Sequence, residues 1–105
     1  MDLLEKLAGI EARYDELNNL MSDPAVLSDY TRVREIGQER NSLEAIVHAY
    51  HDYRAALRHL DEAQALAEGE TEAELKTMAQ EEVTDLHEQI EKQVVEVISF
   101  LDTEM

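Results

Sequence analysis

The sequence predicts an all-α fold: a three-helix antiparallel bundle or coiled coil in which the second and third helices form a projecting hairpin. Three observations predict it. Apolar residues recur at steps of three and four along most of the chain and do not alternate as in a half-buried strand. Breakers are scarce, with one Pro and three Gly in 105 residues. The rest of the composition is rich in Leu, Ala, Glu and Gln, with 5% aromatic and 32% charged residues, which favours long helices over sheet. A chain of this length makes one domain of ordinary size, so residues 1–105 are expected to form a single helical domain.

The first helix is expected over about residues 2–21. Its apolar positions are Leu3, Leu7, Ile10, Tyr14, Leu17 and Met21, a coiled-coil-like seam that Leu4 and Leu20 widen. A turn over residues 22–28 should follow. Asp23 is suited to cap it, with Pro24 at the first position, where a missing N–H costs nothing. Val26 and Leu27 should tuck it onto the core.

Ser28 or Asp29 can cap the second helix, expected over about residues 29–68. Its stripe runs Val33, Ile36, Leu43, Ile46, Val47, Tyr50, Tyr53, Leu57 and Leu60. Arg40 interrupts that stripe and is expected to snorkel to its edge. Gly37 should weaken the helix by roughly 1 kcal/mol relative to Ala, and it points to close backbone packing or a slight bend. Gly69 is the natural left-handed stop. Thr71 to Glu74 reads as a capping box for a third helix over about residues 72–103, with its stripe at Leu75, Met78, Ala79, Val83, Leu86, Ile90, Val94, Val97 and Leu101.

At about 1.5 Å per residue the three helices would be roughly 28, 60 and 48 Å long, and short joints make neighbours antiparallel. The first helix can then cover only half of the hairpin. The other half, from Tyr53 through Gly69 to Val83, should form a two-helix arm in which Ala55, Ala56, Ala63, Ala65 and Ala67 permit close approach.

Nine Lys and Arg face twenty-five Asp and Glu, for a net charge of −16. Such a surface repels phosphate, so direct nucleic-acid binding by this domain is not expected. It suits a solvated helical exterior or one that docks on a basic protein. Arg32, Arg34, Arg40, Arg54 and Arg58 concentrate positive charge on the second helix, either to pair with acids of the other two helices or to form a local docking spot. Cysteine is absent, which excludes disulfides and thiolate metal sites. No apolar run reaches membrane-span length and the first residues lack a signal-peptide core, so a cytoplasmic chain without membrane contact is expected.

No residue is set up for chemistry, and the chain is expected to be no enzyme, with no cofactor, no metal and no catalytic or cofactor-binding residue. None of His48, His51, His59 and His87 has a Glu three residues before it, as the ligand pattern of a carboxylate-bridged metal bundle requires. There is no Gly-rich phosphate loop and no nucleophile elbow. Tyr14, Tyr50 and Tyr53 lie on the apolar stripes as amphipathic core or rim residues.

Several segments carry a family resemblance. They are Leu4-Glu5-Lys6-Leu7, Ile10-Glu11-Ala12-Arg13-Tyr14-Asp15-Glu16-Leu17, the turn Met21-Ser22-Asp23-Pro24-Ala25-Val26-Leu27-Ser28-Asp29, Ser42-Leu43-Glu44-Ala45-Ile46-Val47, and Leu75-Lys76-Thr77-Met78-Ala79. Over roughly residues 1–90 the chain resembles the N-terminal domain of bacterial class 1 peptide chain release factors. The resemblance implies a helical accessory domain in translation termination, with the ribosome, near its stalk base, and the GTPase release factor as partners. The family's Gly-Gly-Gln and codon-recognition domains have no counterpart here, and the chain has no Gly-Gly pair. The last residues, VVEVISFLDTEM, depart from the basic, Pro-containing link usual in the family. A piece of a longer factor, a divergent homologue and a short free-standing protein are all compatible with that. The rival reading is a coiled-coil structural or adaptor protein that self-associates through the arm, burying Leu57, Leu60, Leu75 and Val83 against a second copy.

Overall fold

In the computed structural model, which describes residues 2–104, every regular element is a helix: α1 (Leu3–Leu20), α2 (Pro24–Leu27), α3 (Tyr30–Gly69) and α4 (Ala73–Glu104). No strand occurs among the described residues.

Local chemistry sets the ends. Asp2 caps α1 by accepting the Glu5 N–H at 2.8 Å. Asp23 accepts the Ala25 N–H at 2.9 Å with Pro24 at the first position, so the stretch read as a turn over residues 22–28 contains a full helical turn, α2. Its last residues behave unequally: Val26 is buried, whereas Leu27 points to solvent. Asp29, not Ser28, caps α3, accepting the Arg32 N–H at 3.2 Å, while the Ser28 hydroxyl donates back to the Ala25 carbonyl at 2.9 Å.

Two expectations for glycine fail. α3 runs unbroken through Gly37, and a Cβ placed there would meet nothing within 4 Å, so no close approach requires glycine. Gly69 remains inside α3, and no glycine among the described residues has positive φ. The joint to α4 is held by Glu70 instead. Its N–H returns to the Leu66 carbonyl at 2.9 Å, and its Oε1 accepts the N–H groups of Thr71 at 3.1 Å and Glu72 at 3.0 Å. An acid just ahead of α4 also suits the positive end of the helix dipole.

The chain divides into two compact units, Met1–His48 and Ala49–Met105. In the first, Leu17, Val26 and Ile36 form a buried cluster, packed round by Leu20, Met21, Val33 and Leu43. In the second, the latter part of α3 packs on α4 as a hairpin centred on Leu60, Ala63 and Leu86, flanked by Val83 and Ile90. Ala56, Leu60, Ala63 and Ala67 are all buried, at heptad-like steps of four, three and four. Of the five alanines expected to admit close approach, Ala56, Ala63 and Ala67 are buried, Ala55 is half-buried and Ala65 is exposed.

Candidate interaction surface

Within Met1–His48 a polar seam joins α1 to α3. Arg13 is forked between two acids. Its Nη2 donates to Glu39 Oε1 at 2.9 Å, its Nε donates to Glu39 Oε2, and its Nη1 lies 3.1 Å from Glu16 Oε1. The hydrogen bonds hold the Glu39 carboxyl below its ordinary value and Arg13 further above its own. Loss of hydration opposes each shift, and the charge of the partner reinforces it. Nearby, Arg40 Nε donates to Asn18 Oδ1, and the guanidinium sits 5.2 Å from the centre of the Tyr14 ring. Arg40 is half-buried, at the rim as expected, but its partners are an amide and an aromatic face, not an acid.

Tyr14 and Tyr50 are buried and Tyr53 half-buried, which agrees with a structural role. In the second unit, Arg54 lies 5.3 Å from the centre of the Tyr50 ring, repeating the arginine-on-tyrosine arrangement.

Besides Leu4 on α1, the exposed large apolar residues among the described residues fall in three places. At the elbow between α2 and α3, Leu27 and Tyr30 stand out to solvent and, with Val33 and Arg34, line a cleft of about 270 Å³. Around the hairpin joint, Leu66, Leu75 and Met78 are exposed. Near the end of α4, Val95 and Ile98 are exposed beside Ser99 and Asp102. Leu60 and Val83, expected to face a second copy, instead pack inside the hairpin.

Among the described residues, no three His, Asp or Glu side chains converge as a metal-binding set. His48, His51, His59 and His87 are spread along exposed helix faces. No helix among the described residues is long and apolar enough to cross a membrane.

The PCRF domain family matches residues 10–104. The chain belongs to that family. The match runs through the C-terminal segment VVEVISFLDTE, so the departure there is one of sequence and not of domain extent. The chain is 36% identical over 99 residues to peptide chain release factor 1 of Bacillus cytotoxicus, covering 94% of this chain and 28% of that protein. It is 38% identical over 89 residues to the protein of the same name from Bacillus licheniformis, and 37% identical over 89 residues to that of Bacillus subtilis strain 168. Each of these two matches covers 85% of this chain and 25% of the relative. This PCRF chain therefore spans about a quarter of the length of the curated relatives it matches. No solved structure matches it.

Proposed function

We propose that this PCRF domain acts in translation termination as a helical accessory module, making protein contacts on the ribosome and performing no catalysis itself. The observation that carries the reading is the family match over residues 10–104, together with relatives named peptide chain release factor 1. The side chains support a binding role. Arg13, Glu16 and Glu39 are engaged with one another near solvent, and the apolar residues left exposed are scattered on helix faces. The cytoplasm is the compartment this role implies, and the stalk-base region of the ribosome and the GTPase release factor are the partners. With a net charge of −16 the chain is repelled by RNA phosphate, so its affinity on a ribosome must come from protein surfaces.

Co-sedimentation with ribosomes and a pull-down with the purified GTPase release factor test the proposal. Retention with at least one of them is expected, with no peptide release by the chain alone. A folded chain that binds neither would overturn it. One observation favours the rival reading: Leu66, Leu75 and Met78 are exposed near the hairpin joint. Sedimentation at two concentrations separates the two, and the accessory-module reading expects a monomer at both.

A further inference from the structure

We propose that the elbow between α2 and α3 is a docking notch for a protein segment that presents an apolar side chain flanked by carboxylates, gripped by Leu27, Tyr30, Val33 and Arg34. The notch rests on these side chains alone, whether or not the chain works on the ribosome.

Three observations converge on it. The first is exposure. Tyr30 is 85% exposed and Leu27 51%, on adjoining turns that Asp23 and Asp29 cap, so the apolar groups are presented on a backbone that is already fixed. The second is concavity. The cleft holds about 270 Å³, just under the roughly 300–1,000 Å³ of pockets that enclose small molecules, and is suited to one anchoring side chain.

The third is charge. Seven of the nine Lys and Arg have an Asp or Glu three or four residues away in the sequence; the exceptions are Arg34 and Arg54. Arg54 lies over the Tyr50 ring. The corresponding neighbours of Arg34 are Tyr30, Thr31, Gly37 and Gln38, and it forms no ion pair with the described residues. Ion pairing is sparse on this chain, and Arg34 is the cation that combines a lack of acids at helical spacing with a place beside the most exposed aromatic among the described residues.

Charge complementarity then selects the occupant. A guanidinium offers paired donors to a carboxylate, and Tyr and Arg are both enriched among the hot spots of protein interfaces. A polyphosphate would meet the repulsion of the whole chain for the sake of one arginine. A short peptide with one or two carboxylates meets less repulsion and gains apolar burial against Leu27 and Tyr30.

The test is an amide NMR titration of the 105-residue chain with two blocked tetrapeptides, Glu-Leu-Phe-Glu and Lys-Leu-Phe-Lys, at millimolar concentration. The acidic peptide should move the amides of residues 27–34. Arg34→Glu should weaken its binding about tenfold or more. Tyr30→Ala should weaken it as well, while Tyr30→Phe should not. Arg34 and Tyr30 are both exposed, so none of these variants should unfold the chain. Four results would overturn the proposal: no shift over residues 27–34, an equal response there to the basic peptide, indifference to Arg34→Glu, or movement of the same amides on raising protein concentration without peptide. The last would identify a second copy as the occupant.

Discussion

Met1–His48 and Ala49–Met105 are both packed helices, yet they are closed by different means. The first unit fills the space between its helices with Leu17, Val26 and Ile36 and stitches α1 to α3 by Arg13–Glu39 and Arg40–Asn18. The second uses small residues, with Ala63 between Leu60 and Leu86 in its central cluster and Ala56 and Ala67 buried on the same stripe. Charge follows the same division. Residues 1–48 carry five Lys and Arg against ten acids, and residues 49–105 carry four against fifteen. A helical apolar period therefore permits two solutions. Large side chains bury more area and tolerate no deletion. Alanines let backbones approach and tolerate no addition.

The largest expected effect is at Leu17, which has no exposed surface. Leu17→Ala should cost about 2–5 kcal/mol in chemical denaturation, because the cavity adds to the lost transfer energy. The comparison breaks if Leu60→Ala, in the hairpin, proves the more costly of the two. Next is the reverse test in the second unit. Ala63→Leu should cost about 1–3 kcal/mol by overpacking the α3–α4 contact. A neutral outcome would mean that the alanines are not there for close approach.

Gly37→Ala should stabilise the chain by roughly 1 kcal/mol, since a Cβ at that position meets open space and glycine only adds freedom to the unfolded chain. A rise of a few degrees in Tm is the readout. Added salt should raise Tm by screening repulsion among the acids, and the change in amide exchange should be greater in residues 49–105, where net charge is more negative.

The smallest effect concerns Arg13–Glu39. The folded-state value of Glu39 is depressed, so its contribution to stability is complete above the ordinary carboxylate value and is lost as pH falls through the folded-state value. The Tm difference between the native chain and Arg13→Ala should therefore shrink on acidification through that window. A difference independent of pH would show that Arg13 acts by packing alone.

Much of the fold was legible because its signals are local. The α1 seam, the Asp23–Pro24 start of α2 and the Asp29 cap all lie within one or two helical turns of the residues they organise. Glycine misled for the same reason. Gly37 and Gly69 carry propensities that favour a bend and a left-handed stop, but neither is used, since α3 is continuous and Glu70 supplies the acceptor for the joint. The candidate notch left one trace in the sequence, the lack of an acid three or four residues from Arg34. That trace becomes informative only once Leu27 is seen to turn outward while Val26 turns in.

The sequence by itself determined that this protein is helical, where α1 and α3 begin, which face of each long helix is apolar, and to which family it belongs. Family membership follows from similarity along residues 10–104, and the helical properties depend on hydrogen bonds and side-chain spacing within about four residues. Only the tertiary structure decided that Arg13 reaches Glu39 and Arg40 reaches Asn18, partners 26 and 22 residues apart, and which alanines are buried. The physical reason is register. A repeating stripe specifies that two helices will meet but is nearly indifferent to sliding one along the other, and the choice among registers comes from side chains that interlock only after the helices have been brought together.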